Sequence, residues 1–322
     1  MKLLRILPWF LWALFSSAHL LAQSYPTKPI RMLAPYPPGG GVDIAARTIG
    51  QKLSETFGQQ IIVDNRPGAA GNIGMEIAAR AAPDGYTLIM SSAGPVAMNP
   101  GLYPALPFDP LKDFAPVALA ASTVYALVVP AALPVKSVKD LIALAKAQPG
   151  KLTYASSGVG GPPHLAFELM QLTAGIRMIH VPYKGAGPAL ADLLGGQVTA
   201  FFADLIAARP HLASGRLRAL GVSSAQRAPS APDVPTIAEA GLPGYEATGW
   251  SGVLAPAGTP RAIIQKLNAE IVRVLPLPDV KERLAGDGSE FGKNTPEQFA
   301  RFIRAELEKW RKVIKTANVR LE

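Results

Sequence analysis

The 322-residue chain contains no cysteine. This absence excludes disulfide bonds, thiolate metal sites, a cysteine nucleophile and a lipid-anchored amino-terminal cysteine. The fold must therefore be held by core burial, which a chain of this length can provide. After the amino-terminal segment, no stretch approaches the roughly 18 uninterrupted apolar residues of a membrane span, so we expect a soluble mature protein.

Catalytic signatures are also scarce. The sequence has no G-x-S-x-G nucleophile elbow and no phosphate-binding G-x-x-x-x-G-K-[ST] motif. The histidines after the amino-terminal segment are His164, His180 and His211, and their spacing is not that of a metal site. The sequence leaves open whether a pair of catalytic carboxylates is present, because such pairs cannot be recognised without a fold. We expect no cofactor and no metal.

Charged residues are few, and the basic ones outnumber the acidic ones. Charged residues make up 17% of the chain, and its formal net charge is +9. Runs of about five or more Lys or Arg residues are missing, as are basic stripes with interleaved aromatics, which argues against nucleic acid as a partner. A basic balance favours small acidic molecules or anionic surfaces, although a solvated basic surface explains part of the charge.

The first residues have the pattern of a secretory signal. Two basic residues precede an apolar run from Ile6 to Phe15, and small residues follow. We expect a signal peptide over 1–22, cleaved after residue 18 or after residue 22. The alternative, an uncleaved membrane anchor, is less favoured because Pro8 interrupts a run that is short for a membrane span.

What the chain does contain is an alternation of short apolar strand candidates and helical patterns. This predicts an α/β fold with largely parallel sheets, and the length allows about two domains. Continuous apolar runs at 117–129 and 217–222 are candidates for strands that cross between two lobes. We expect the first lobe to comprise 23–122 plus 226–322, and the second lobe to comprise 123–225.

The last helix has the clearest local signals. Thr295 and Gln298 have the spacing of a capping box, with Pro296 at the first helical position. From 296 to 316 the apolar residues fall on one helical face, which predicts a helix packed on its own domain, with a partner surface as the less favoured alternative.

Two Gly/Pro-rich loops, each between a strand candidate and a helical run, are the candidate ligand-binding elements. The first loop spans 35–43, and the second spans 156–164. Such a loop aims free backbone N–H groups and the positive end of a helix dipole at one place, which attracts an anion. Alone, the first loop is as consistent with an ordinary strand-to-helix turn. Two such loops suggest two lobes that grip one small anion.

The side chains of these loops divide into two roles. We expect Asp43 to cap and order the first loop, because its charge would repel an anionic ligand. In the second loop, Ser156 and Ser157 offer hydroxyl and amide donors, and Gly158 and Gly160 allow tight curvature.

Three residues outside the glycine runs are weaker candidates. His164 could bond the loop or the ligand, although a lone histidine at a helix start is more often a structural cap. Lys184 could add positive charge to the site or be an ordinary surface lysine. Asp204, after a buried strand pattern, either lies at the cleft or caps the segment that comes after the strand.

Several motifs follow one another in a fixed order. They include PYPPGGGVDIAAR, VDNRPGAAGNIG, YASSGVGGPPHLA and HVPYKGAGPALADLLGGQV. From about Tyr25 to the carboxyl terminus, this set resembles the Bug family of periplasmic solute-binding receptors, which serve tripartite tricarboxylate transporters. The resemblance implies a type II periplasmic-binding-protein fold: two lobes, two crossing strands, and a ligand cleft that closes about a hinge.

The resemblance also implies a site in which both loops embrace a carboxylate of the ligand. Gly41 and Gly161 depart from the family pattern, where side-chain donors are common, so the identity of the ligand does not transfer. Carried over to this chain, the ligand-binding residues are Tyr36, Pro38, Gly39, Gly40, Asp43, Ser91, Ser92, Ser156, Ser157, Gly158, Gly160, His164, Lys184 and Asp204.

We therefore expect a monomeric, non-catalytic receptor in the periplasm. It would capture a small organic carboxylate by hinge closure and present it to a tripartite tricarboxylate-type membrane transporter. Two alternatives remain: an exported enzyme acting on a carboxylate or ester, and an orphan receptor that feeds a two-component sensor kinase. Turnover on a carboxylate panel would reveal the enzyme, and neighbouring genes would reveal the sensor.

Overall fold

The structure, a computed structural model, describes residues 25–284 and 294–321. The predicted signal peptide lies outside the described residues. None of the helices within the described ranges combines the length and the apolar character that crossing a membrane requires.

Strands and helices alternate along the chain as the sequence predicts. The first elements are β1 (Ile30–Ala34), α1 (Gly41–Phe57), β2 (Ile61–Asn65), α2 (Asn72–Ala79), β3 (Thr87–Ser92), α3 (Asn99–Leu102) and β4 (Phe114–Thr123). Next come β5 (Tyr125–Pro130), α4 (Val138–Ala147), β6 (Thr153–Ser156), α5 (Pro162–Ala174), β7 (Ile179–Pro182), α6 (Ala186–Leu194), β8 (Ala200–Asp204), α7 (Leu205–Ala213) and β9 (Leu217–Val222). The last are β10 (Gly249–Pro256), α8 (Arg261–Val274), α9 (Pro278–Leu284) and α10 (Pro296–Thr316).

The strands form two five-stranded sheets, in the orders β2-β1-β3-β10-β4 and β7-β6-β8-β5-β9. In the first sheet β1 runs parallel to β2 and β3, whereas β10 runs antiparallel to β3 and β4. In the second, β6 runs parallel to β7 and β8, whereas β5 runs antiparallel to β8 and β9. The α/β class is confirmed. In each sheet four of the five strands run in one direction, as predicted, and one strand is reversed: β10 in the first sheet and β5 in the second, each of which follows a crossing from the other sheet.

The chain passes between the sheets twice. It goes from β4 to β5 through Val124, and from β9 to β10 through 223–248. Ser223 ties the two passages together: its amide donates to Tyr125 O (2.8 Å), and its hydroxyl accepts from Tyr125 N (3.0 Å). These two passages correspond to the predicted crossing strands and make the fold two-lobed.

The segment 226–248 packs on the second sheet's helices. Tyr245 donates its hydroxyl proton to Ala166 O in α5 (2.9 Å), and Gly241 lies against Lys139 of α4. The lobe limits predicted from the sequence place this segment in the first lobe. These limits remain a prediction. We propose that the second lobe extends toward the start of β10.

Apolar side chains on the two faces of the first sheet enter different cores. Ile30 and Met32 of β1 pack with α1 and α8, whereas Leu33 points to the opposite face. That opposite core continues into the second sheet, because α10 contacts both β4 and α5. Phe299, Trp310 and their neighbours on one face of α10 therefore link the two halves of the molecule.

The predicted capping box at the start of α10 is present. Thr295 Oγ1 accepts from Gln298 N (3.2 Å), and Thr295 N donates to Gln298 Oε1 (2.8 Å). This exchange satisfies two helix-end amides and fixes where α10 begins.

Candidate functional site

The candidate residues gather at the carboxyl ends of strands. Tyr36 follows β1 and Ser92 ends β3 in the first sheet, while Ser156 ends β6 and Asp204 ends β8 in the second. Because β1 and β3 are parallel neighbours, as are β6 and β8, each pair of strand ends meets at one sheet edge.

The first loop is organised around the buried carboxylate of Asp43, which is 3% exposed. Asp43 Oδ2 accepts from Gly39 N (2.9 Å) and from Arg47 Nε (3.0 Å), and Oδ1 accepts from Asn65 Nδ2 (2.9 Å). Burial raises the pKa of this carboxyl, but the hydrogen bonds from Arg47, Gly39 and Asn65 outweigh burial and hold the pKa below its usual value. Asp43 is thus ionised, and its oxygens order the loop.

The same loop is joined to the ends of the neighbouring strands. Asn65 Nδ2 also donates to Tyr36 O (3.0 Å), and the hydroxyls of Tyr36 and Ser92 lie 3.0 Å apart. Gly40 is the N-cap of α1 and has no side chain to cap the first-turn amides. The positive end of the α1 dipole is therefore open to an anion.

Replacing Asp43 with alanine should cost about 2–3 kcal/mol of unfolding free energy, because the Gly39 amide, Asn65 and Arg47 would lose their acceptor. Binding of a carboxylate ligand should weaken at least tenfold as the loop loosens. Denaturant unfolding at pH 7 and ligand titration measure both effects. Arg47→Met, which removes only a half-exposed partner, is the control, and an Asp43→Ala protein as stable as this control would contradict the assignment.

The structure also predicts how the stability of the wild-type protein changes with pH. Since the pKa of Asp43 is lower in the folded state than in the unfolded chain, its stabilisation is present above the ordinary value of 3.8 and is lost as the pH falls below it.

In the second loop, internal hydrogen bonds engage most of the backbone amides. Gly158 N donates to Ser156 Oγ (3.2 Å), and Gly161 N donates to Gly158 O (3.3 Å). Gly160 N donates to His164 Nδ1 (2.9 Å), so His164 bonds the loop. The φ angles of Gly158 (147°) and Gly160 (72°) agree with the predicted tight curvature. Because α5 begins with two prolines, its first turn offers fewer amides than that of α1.

Behind the second loop lies a polar cluster of α5, β6 and β7 side chains. Ser156 Oγ lies 2.6 Å from His180 Nε2, and Tyr154 donates its hydroxyl proton to Glu168 Oε1 (2.5 Å). Burial, assisted by His164 and opposed by Glu168, lowers the pKa of the His180 imidazole to about 4. Sequence reasoning did not assign His180 or Glu168 to the site, since only the tertiary packing brings them beside the loop.

The remaining predicted residues lie around these loops. Lys184 is exposed and adjoins Gly185, whose amide donates to Ser157 O (3.2 Å). Ser91 is fully buried, and its hydroxyl has no partner among the residues that the structure describes. Asp204 is half-buried and lies opposite Tyr125 in the β5–β8 pairing.

Tyr125 lies at the first crossing, between the two halves of the site. It was not among the site residues predicted from the sequence. Burial raises the pKa of its phenol, and the neighbouring Asp204 carboxylate and Tyr36 phenol raise it further. Its sequence context is an ordinary apolar strand and carries no functional signal.

The two loops approach the same end of α3. A side chain at position 160 would come within 2.7 Å of Leu102 Cδ1, so the second loop touches an element of the first lobe. Burial raises the pKa of Tyr36 in the first loop, the hydrogen bond with Ser92 opposes this, and Tyr103, the residue after Leu102, adds to the rise. Within 25–284 and 294–321, no group of His, Cys, Asp or Glu side chains is arranged to hold a metal.

Two mixed α/β sheets, joined by two crossings and carrying glycine-rich loops at their facing strand ends, define a solute-binding protein of the periplasmic-binding-protein type. Residues 45–319 match the tripartite tricarboxylate transporter family receptor (TctC). The chain belongs to this family, which confirms the resemblance seen in its motifs.

Relatives support the same assignment. The chain is 39% identical over 322 residues to Protein BugT of Bordetella pertussis, covering 100% of this chain and 99% of that protein. It is 40% identical to R. palustris Rpa4515, solved with adipate, with a TM-score of 0.77 and coverage of 92% and 100%. It is 33% identical to MatC (Rpa3494) from Rhodopseudomonas palustris with bound malate, with a TM-score of 0.73 and coverage of 90% and 100%. The chain is therefore a periplasmic solute-binding receptor.

Proposed function

We propose that this receptor captures a small organic carboxylate between its two loops and, once closed, presents it to a tripartite tricarboxylate-type membrane transporter. The observation that carries the proposal is the uncapped amino terminus of α1 at Gly40, beside a loop that Asp43 holds rigid. A rigid loop loses little entropy on binding, and the helix dipole stabilises a negative charge at its amino end. The adipate and malate bound by two relatives are acids of this class.

The predicted residues then divide by role. We propose that backbone amides around Gly40 contact the acid, that Gly39 shapes the loop, and that Tyr36, Pro38, Ser92 and Asp204 line the cleft. Ser91 is fully buried and supports the end of β3 behind them. Lys184 adds charge at the rim. In the second loop, Ser156, Ser157, Gly158, Gly160 and His164 shape the backbone that faces the ligand.

Closure follows from the need for both loops to reach the ligand. An acid bound only to the first loop gains the second set of contacts when the lobes approach, so binding shifts the population toward the closed form. A membrane transporter that recognises only the closed form would therefore bind only the receptor that carries a ligand. A two-component sensor kinase is the alternative recipient.

We propose a non-catalytic receptor that acts as a monomer in the periplasm after removal of its signal peptide. The pair most like a catalytic one is Ser156 with His180. Yet Ser156 is fully buried, and its hydroxyl contacts both the amide and the carbonyl of Gly158. A nucleophile would need access to the cleft.

A thermal-shift screen against organic acids, starting with adipate and malate, tests the proposal. A true ligand at about a hundredfold excess over its Kd should stabilise the folded state by about 2.7 kcal/mol. Calorimetry should then give one molecule per chain without product formation. Dimethyl adipate, which keeps the shape of adipate but not its charge, is the control. An equal shift with the diester, or turnover of any acid, would refute the proposal.

A further inference from the structure

Two stacked imidazole rings hold the second loop from behind. The rings of His164 and His180 lie 3.8 Å apart between centroids and are within 11° of parallel. His164 Nδ1 accepts from Gly160 N, at the end of the loop (2.9 Å). His180 Nε2 lies 2.6 Å from Ser156 Oγ, at its start. The stack therefore joins the two attachment points of the loop into one unit.

The contacts of Ser156 are satisfied together by one arrangement of protons. Its Oγ accepts from Gly158 N (3.2 Å) and lies 3.0 Å from Gly158 O, to which only the hydroxyl proton can be donated. A serine hydroxyl has one proton and two lone pairs, so a single lone pair remains for His180. His180 Nε2 must therefore carry a proton and donate it to Ser156.

The surroundings of His180 suit this uncharged donor. Its ring stacks on His164 and lies 5.0 Å from Tyr154, and the third titratable group facing it is Glu168. Glu168 accepts the hydroxyl proton of Tyr154, and its Oε1 lies 3.6 Å from His164 Nε2. Burial lowers the pKa of His180 to about 4, so the ring is neutral near pH 7.

The internal bonds of the loop leave two amides, those of Ser157 and Val159, without an acceptor in the described part of the chain. The amides of Gly158, Gly160 and Gly161 all donate within the protein. Val159 lies between them, its side chain is exposed, and its amide has no acceptor in the described part of the chain. The orientation of this amide depends on how Gly158 is held.

We propose that His180 is a positioning residue of the carboxylate site: it fixes Ser156, and through Ser156 the Gly158 peptide, so that the Val159 amide binds the acid. This assignment rests on the proposed function of the chain as a carboxylate receptor. His180 itself does not touch the ligand.

Two substitutions separate the hydrogen bond of His180 from its packing. Leucine fills a similar volume without an N–H group, whereas glutamine can place an amide N–H near the position of Nε2. Titration with adipate and with malate should give at least tenfold weaker binding for His180→Leu and binding within about threefold of wild type for His180→Gln. Wild-type affinity in His180→Leu, or a folded His180→Gln protein as weak as His180→Leu, would overturn the proposal.

A measurement on the ligand-free protein keeps this test independent of the ligand. Amide hydrogen exchange at Gly158, followed by NMR, should be at least tenfold faster in His180→Leu than in wild type or His180→Gln. If His180→Leu fails to fold, His180→Phe, which keeps an aromatic ring against His164 but has no N–H group, takes its place with the same expected result. Equal exchange in all variants overturns the positioning role. If wild type binds neither acid while Gly158 exchange still depends on His180, the proposed function fails and the hydrogen bond of His180 stands.

Discussion

Valine in place of Gly39 is expected to abolish carboxylate binding without unfolding the protein. Gly39 has a φ angle of 86°, a conformation that β-branched residues rarely adopt, and no atom lies within 4 Å of where its Cβ would be. The change therefore strains the backbone without a clash, at a cost of about 1–2 kcal/mol. A domain of ordinary stability tolerates this cost. The loop, however, must relax away from the geometry that Asp43 imposes.

Gly158→Val should behave in the same way, since φ is 147° and the nearest atom to the added Cβ is Tyr183 O at 3.8 Å. Gly58 provides a matched control, because it has a φ angle of 63° in open space at the opposite end of α1. Gly58→Val should lose similar stability and keep full affinity. Calorimetry and thermal melts compare the three variants, and unchanged affinity in both site variants would disprove the assignment of the loops.

Glu306→Ala is expected to destabilise the protein by about 3 kcal/mol or more, equivalent to a fall in Tm of about 10 °C. Glu306 is 6% exposed, and its Oε2 accepts from the indole N–H groups of Trp250 (3.0 Å) and Trp310 (2.9 Å). It also pairs with Lys309. Alanine would leave both indoles without an acceptor in a buried place.

The effect should reach beyond α10, since this helix contacts both β4 and α5. Glu306→Gln is the control because its amide oxygen can still accept one indole N–H, so it should lose clearly less stability. Denaturant unfolding followed by tryptophan fluorescence measures the difference. Equal stability of the alanine and glutamine variants would show that the indole hydrogen bonds are not what holds α10 in place.

Local patterns predicted the elements well. β9 and α10 begin and end where the sequence pattern places them, and the capping box of Thr295 is present. Such signals depend on residues a few positions apart, so they can be read without knowing the fold. The two loops were found for the same reason, because glycines and prolines between a strand and a helix form a local pattern.

Strand direction and the supports of the loops were not predictable in this way. The antiparallel placement of β5 and β10 depends on how the chain crosses between sheets. The contact of His180 with Ser156 joins residues from neighbouring strands, and Tyr125 lies near Tyr36 only because the lobes meet at the crossing. Nothing in the immediate sequence of these residues marks them.

By itself, the sequence determined the α/β class, the family, and the two loops whose backbone can receive an acid. Only the tertiary structure decided which loop amides remain free and which side chains hold the others. The physical reason is that conformational preferences and helix dipoles are local properties. Hydrogen-bond partners, burial and pKa shifts depend instead on residues that become neighbours only when the chain folds.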